Sequence, residues 1–427
     1  MTRILFVSPI VPFPEQRGGM NQRIANLLRA ACARGPVQFV GYSTAGPPDD
    51  PDNSRGIAEL RALCPDAVLV PRDNHWWPEI SRDSLLWCLR HYVLARGPFL
   101  FRAYDAAALV REVRRLAPEA DLIWVERLWI AWHLPELASR IVLDLDDLES
   151  VKTARRMRGW RKTPTTLAAW FDCWKLKRAE RAARGRFLRT LVCSREDLAL
   201  WREVSQGPPS PDEKTWVVPN GFTDHLLQLP LPAVVVPRVI FVGTLHYWPN
   251  TEAVLRFTQK ILPLIRAQCP TVEFWIVGLG PAQEILNLDD GKAVRVFADV
   301  PDVIDYVRQA AVSVVPLRIG GGTRLKILES LAAGVPVVST TVGVEGIVLV
   351  PDEHLFVANE PQDFANRVCR LLGDPALRQT QVEAARQAIA CEYSWSSIRH
   401  GVTQKLLSLA STLPGNSATA SRNPRES

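Results

Sequence analysis

Short apolar runs rich in valine and isoleucine alternate with amphipathic stretches along most of this 427-residue chain, and that alternation restricts the fold more than any other feature. A β-run followed by an amphipathic helical stretch, repeated many times, builds βαβ units and hence parallel sheets covered by helices. The runs fall into two series. Strands are expected at 3–8, 37–42, 67–70, 121–125, 140–145, 190–193 and 215–218, then at 238–242, 272–277, 294–297, 311–315, 335–339 and 355–357. Between the series, 226–237 carries Pro230, Pro232 and Pro237 and reads as a linker. The expected architecture is therefore α/β. A first doubly wound, Rossmann-like domain covers 1–225 and a second covers 238–392, the two facing across a cleft. A helix over 393–411 can pack back on the first domain, and the small, polar tail at 412–427 reads as disordered. In such sheets ligands bind beyond the carboxyl ends of the strands.

Composition narrows the class further. With 47% apolar and 22% charged residues the chain can bury ordinary globular cores, and a net charge of +6 says little until its distribution is examined. The eight cysteines are scattered without a C-x-x-C pair, which points to reduced thiols in a cytoplasmic protein rather than disulfides or zinc. The seven histidines show no metal-ligand spacing, so no metal site is expected. No uncharged apolar run reaches the ~18 residues of a membrane span. The N-terminus moves from Arg3 directly into a strand-like run and lacks a small-residue cleavage site, unlike a signal peptide.

The densest chemistry lies at Gly320-Gly321-Gly322-Thr323-Arg324-Leu325-Lys326-Ile327-Leu328-Glu329. A buried-strand pattern precedes it, and Leu325, Leu328 and Ala332 follow at helical spacing until Gly334 and Pro336 stop the helix. Strand, glycine turn and helix start form an arrangement in which backbone amides and a helix dipole face an anion. Arg324 and Lys326 add full charges there, and Lys326 and Glu329 share one helical face. A phosphate joined to a hydroxylated group such as ribose suits this composition. The bland alternative is a tight turn with a surface Lys–Glu pair worth ~0.2–0.5 kcal/mol.

Three further stretches carry polar chemistry. After the first strand, Gly18 and Gly19 open an amphipathic helix expected from about Asn21 and allow close backbone approach. Gly243, Thr244 and His246 follow the 238–242 strand, with Tyr247 and Trp248 available to stack on a ring or to pack internally. Asp144, Asp146 and Asp147 follow the 140–145 strand. They admit a hard divalent cation held by an Asp-x-Asp pair, a single carboxylate acting on a hydroxyl proton, or solvated and capping roles. Were the strand to persist, Asp144 and Asp146 would share a face. Finally, 152–189 is strongly basic with Trp160, Trp170, Phe171 and Trp174 interleaved. An anionic membrane surface, nucleic acid, or packing of the tryptophans on the protein itself all fit that mixture; no nucleic-acid module is visible, and no nucleic-acid partner is expected.

Taken in order, Ile4-Leu5-Phe6-Val7-Ser8-Pro9, Val192-Cys193-Ser194, Val218-Pro219-Asn220-Gly221, Phe241-Val242-Gly243, Ile276-Val277-Gly278-Leu279-Gly280-Pro281, the stretch Pro316 to Gly334, and Tyr393-Ser394-Trp395 span nearly the whole chain. With this set the chain resembles the retaining glycosyltransferases of family 4, which have the two-domain GT-B fold, and most closely those associated with exopolysaccharide synthesis. The resemblance implies a nucleotide-diphosphate sugar donor held by the second domain, no cofactor, no metal, and a lipid-linked or polysaccharide acceptor. It also implies a cytoplasmic protein peripheral at the inner face of the plasma membrane. Glu329 matches the family glutamate that binds ribose hydroxyls. Gly321 stands where the partner glutamate is expected, and Thr244 and Pro249-Asn250 stand where the family carries Arg and Lys. The expected donor contacts are Gly18, Gly19, Gly243, Thr244, His246, Gly321, Gly322, Thr323, Arg324, Lys326 and Glu329. Asp146 falls where the family often has a first-domain histidine; with Glu329 it forms the candidate catalytic set. A nucleotide-sugar epimerase, or a catalytically silent nucleotide-sugar-binding subunit, shares much of this pattern.

Overall fold

The computed structural model describes residues 2–15, 18–43, 51–71, 85–103, 106–157, 163–204, 214–319 and 322–412. The chain divides into two compact units, Met1–Val218 with Ile398–Ser427, and Pro219–Ser397.

The first unit is built on a seven-stranded sheet ordered β3-β2-β1-β4-β5-β6-β7, with β1 Ile4–Ser8, β2 Val37–Tyr42, β3 Val68–Val70, β4 Leu122–Glu126, β5 Ile141–Asp144, β6 Arg189–Val192 and β7 Thr215–Val217. Every pairing is parallel. The central strands are apolar on both faces because helices cover both, and all five residues of β1 and of β4 are buried. Phe6 of β1 stacks on Trp124 of β4 at 5.7 Å between ring centroids. Ladder growth reverses direction between β1 and β4, so their carboxyl ends flank the crevice where such sheets bind ligands.

The second unit repeats this scheme with six parallel strands ordered β10-β9-β8-β11-β12-β13. They are β8 Arg238–Val242, β9 Glu273–Gly278, β10 Val294–Ala298, β11 Val312–Val315, β12 Val337–Ser339 and β13 Phe356–Val357. Here the reversal lies between β8 and β11. Each expected strand is present, with ends shifted by a residue or two.

The proline-bearing segment 226–237 lies inside the second unit. Leu226 belongs to that unit's core, and Leu227, Leu229 and Val234 pack against it. Arg386 donates to the carbonyls of Leu226 and Leu229, and Arg378 donates to that of Val234. The helix Trp395–Thr412 starts in the second unit, and from Ile398 onward its residues belong to the first, where Arg399 Nη1 donates to Asn26 Oδ1 at 2.6 Å. All eight cysteines are free thiols. Among the described residues no helix is long and apolar enough to cross a membrane.

Candidate functional site

In the second unit the chemistry gathers where β8 and β11 end. The helix Leu325–Ala332 starts one residue after Arg324, as the glycine-turn pattern implies, and its starting residue lacks a side-chain cap. Gly322 sits in the left-handed region at φ 72°, a conformation glycine adopts without strain. Gly320 and Gly321 lie outside the described residues. The amides of Leu325 and Ile327 bond to the carbonyls of Thr323 and Arg324. Those two amides are spent within the turn, and side chains can add to any anion contact.

Lys326 is the side chain best placed to do so. Its Nζ lies 3.0 Å from Asn250 Oδ1 and 4.2 Å from the centroid of the buried Phe241 ring. Asn250 is itself fixed by donating from Nδ2 to the carbonyl of Thr244 at 2.9 Å. Gly243 makes this possible. A Cβ there would come within 2.8 Å of Lys326 Nζ and 2.9 Å of Asn250 Nδ2. Burial, reinforced by the charge of Arg324, pushes the Lys326 pKa down to about 7, while Glu329 opposes the shift. A half-buried ammonium with this balance gains charge stabilisation from any anion that reaches it.

The other expected donor contacts take different positions. Arg324 is buried, and its guanidinium donates to the carbonyls of Gly322 and Val342, so it braces the turn. Thr323 Oγ1 is buried without a hydrogen-bond partner among the described residues, a polar atom suited to a ligand. Glu329 is half-buried, one turn along the helix from Lys326. Thr244 and His246 are exposed on the loop after β8. Gly280, at φ 59°, lies so close to the His246 ring that a Cβ would meet its Nδ1 at 2.7 Å. Trp248, also exposed, opens the helix Trp248–Arg256.

In the first unit the helix begins at Gly19 rather than near Asn21, with Gly18 in open space beside it. The aspartates are arranged differently from the expectation of a shared strand face. Strand β5 ends at Asp144, and Asp146 adopts the left-handed region at φ 56°, leaving the pleat. Fully buried Asp144 accepts two bonds from Arg23, at 2.7 and 2.9 Å, and Arg23 also donates to the carbonyl of Val218. Asp146 accepts from Arg127 Nη2 at 2.6 Å and from Cys193 Sγ at 3.1 Å. Arg127 has positive φ as well, at 80°. Two strained non-glycine residues meeting in one ion pair are a pattern found at functional sites. Burial, with the charge of Asp144, pushes the Glu126 carboxyl well above its usual range, and it accepts from Trp124 Nε1 at 2.8 Å. Burial and the charge of Asp146 also raise Asp147, which lies 3.6 Å from Lys152 Nζ.

Arg23, Glu126 and Arg127 escaped the sequence reading, and Cys193 entered it only within the Val192-Cys193-Ser194 motif, without its bond to Asp146. Arg23 left a signal there, as a cation four residues before Leu27 on the apolar face of its helix.

Residues 236–374 match the family model Glyco_trans_1_4, the glycosyl transferases group 1. The matched stretch lies within the second unit. That stretch contains Gly243, Asn250, Arg324, Lys326 and Glu329. The chain is 26% identical over 139 residues to an uncharacterized 44.6 kDa protein in the cps region of Klebsiella pneumoniae, covering 31% of this chain and 36% of that protein. It is 25% identical over 214 residues to a GDP-mannose-dependent monoacylated alpha-(1-6)-phosphatidylinositol monomannoside mannosyltransferase of Corynebacterium glutamicum, covering 47% and 52%. The chain thus spans about half or less of the length of these curated relatives. Among solved structures, HepE from Anabaena in complex with UDP superposes with a TM-score of 0.64 at 14% identity, over 96% of this chain and 100% of that one. The matched stretch therefore stands within a chain of GT-B fold.

Proposed function

We propose that this chain is a glycosyltransferase that takes a hexosyl group from a nucleoside-diphosphate sugar and passes it, with retention, to a lipid-linked or polysaccharide acceptor. One observation carries the reading: Lys326, Asn250 and Gly243 converge at the strand reversal of the group 1 domain, with Glu329 one turn further along the same helix. In this assignment Lys326 neutralises the diphosphate as the sugar leaves, Thr323 Oγ1 supplies a hydrogen bond, and Glu329 accepts from ribose hydroxyls. Rate enhancement then comes from positioning and from charge stabilisation of the leaving diphosphate. A diphosphate oxygen takes the acceptor hydroxyl proton as the new glycosidic bond forms on the face the leaving group vacates. The UDP bound to the Anabaena neighbour supports the donor class. The mannosyltransferase relative, by its name, supports a lipid acceptor.

Metal independence belongs to the same proposal. Asp144 and Asp146 are each matched by an arginine, which removes the uncompensated carboxylate pair that a hard cation would want. Asp146, held by Arg127 and Cys193, is the acceptor-side carboxylate in this reading.

Calorimetric titration with UDP, GDP and ADP, followed by donor hydrolysis and transfer assays, tests the proposal. The expected result is binding of one diphosphate, sharply weaker binding in Lys326→Ala, and loss of transfer with binding retained in Asp146→Asn. Nucleotide binding without turnover, across donors and acceptors, would instead identify a binding subunit.

A further inference from the structure

We propose that the outward face of the helix Pro164–Ala183 docks on an anionic lipid surface. The inference stands apart from the donor site and rests on how the twenty residues of this helix are sorted. Its inward face is small: Ala168, Ala169, Cys173, Leu176, Ala179 and Ala183 are buried. The large residues point the other way. Leu167 is 64% exposed, Trp170 41%, Phe171 40% and Trp174 50%. The alternative in which the tryptophans pack on the protein itself is thus not met for Trp170 and Trp174, and Trp160 lies outside the described residues. At 100° per residue these four side chains, together with Lys177, Arg178 and Arg181, fall within an arc of about 120°.

Charge is sorted in the same sense. The two acids of the helix both face inward, where Asp172 accepts from the Phe99 amide and Glu180 from the Ser150 amide. Lys177, Arg178 and Arg181 are exposed. The outward face is consequently apolar and aromatic over its first half and cationic over its second. Arg178 lies 5.7 Å from the Trp174 ring centroid, joining the two halves. Lys175 anchors the helix from beside this face, donating to the carbonyls of Val93 and Ala95 at 3.1 and 2.7 Å. The neighbouring turns Leu85–Cys88 and Leu89–Leu94 contribute Leu86 and Leu94, which are 80% and 79% exposed.

A soluble protein rarely leaves such a set in water unless something covers it. Aromatic rings with cations alongside match the boundary of an anionic bilayer, where the rings enter the headgroup level and the cations meet lipid phosphates.

Co-sedimentation of the full chain with phosphatidylglycerol/phosphatidylcholine vesicles and with pure phosphatidylcholine vesicles tests this. Binding is expected to favour the anionic vesicles and to weaken with added salt. The triple variant Leu167→Ser/Trp170→Ser/Trp174→Ser should lose about tenfold or more of its partition on both compositions. The variant Lys177→Gln/Arg178→Gln should lose about tenfold on anionic vesicles and little on neutral ones. Should the triple variant misfold by circular dichroism, the charge variant alone decides. Equal partition to both compositions, or no effect of the charge variant, overturns the proposal. So does a dimer in light scattering that the triple variant dissolves while vesicle binding is absent.

Discussion

The two units share one strand scheme, and the strand ends beside their sheet reversals hold opposite electrostatic arrangements. In the first, charges are already matched: Arg23 grips Asp144, and Arg127 grips Asp146, all within or beside the core. In the second, the cation Lys326 rests on the neutral oxygen of Asn250 and the face of Phe241, and its pKa is lowered to about 7. The first arrangement resists change, because removing one charge strands the other. The second is poised, because an arriving anion satisfies a group the fold has left poorly solvated. Similar topology therefore supports a rigid platform in one unit and a responsive grip in the other.

The largest expected effect tests the platform. Arg23→Met should destabilise the first unit by about 3–5 kcal/mol in urea unfolding, since Asp144 would be left buried and unpaired. Pairing it with Asp144→Leu should restore much of that loss. Full stability in the single variant would break the contrast. Next comes the grip. Lys326→Ala should weaken nucleoside-diphosphate binding by about 1.5–3 kcal/mol, the range for hydrogen bonds to charged groups, with little loss of folding stability. Calorimetry reads the first and thermal unfolding the second.

A smaller effect follows from pH. Lowering of the Lys326 pKa to about 7 means that the ammonium is charged below that value and neutral above it. Diphosphate affinity should therefore be greatest in mild acid and fall above about pH 7, by up to about tenfold per pH unit, with Lys326→Met showing a flat profile. The unliganded protein should behave in the opposite sense. Its unfolded chain holds the Lys326 proton up to about pH 10, so this group's contribution to stability rises from about pH 7 towards that value. The smallest effect concerns Glu329→Gln, which should cost binding of a full nucleotide about 1 kcal/mol and leave inorganic diphosphate binding unchanged. Equal losses for both ligands would move Glu329 from the ribose to the phosphates.

Much of the fold was legible from residue pattern alone. Runs such as Val239-Ile240-Phe241-Val242 and Val312-Ser313-Val314-Val315 are short, β-branched and bounded by turn residues, and buried parallel strands require all three properties. Lys326 and Glu329 were legible too, because sequence neighbours on a short helix are also spatial neighbours. The Arg23–Asp144 pair was not, since 121 positions separate its members and only the strand order brings them together. The outward turn of Trp170 and Trp174 was hidden for another reason. Hydrophobicity alone places tryptophan inside, yet the alanine-rich opposite face is the one that packs closely on its neighbours. The bonds of Arg324 to the Gly322 and Val342 carbonyls were not legible, because position in a glycine turn does not reveal which way a long side chain folds back.

One contact in the second unit bears on how such a site tolerates substitution. Gly278, at φ 153°, lies against Gly243 so closely that a Cβ on it would come within 1.8 Å of the Gly243 carbonyl oxygen. The floor beneath Lys326 is thus backbone against backbone, and most side-chain replacements nearby leave it untouched. Side chains around this floor, Asn250 among them, can therefore be exchanged while the position of Lys326 holds. Anyone grafting the grip onto another sheet would need to move the two glycines before any of the charged residues.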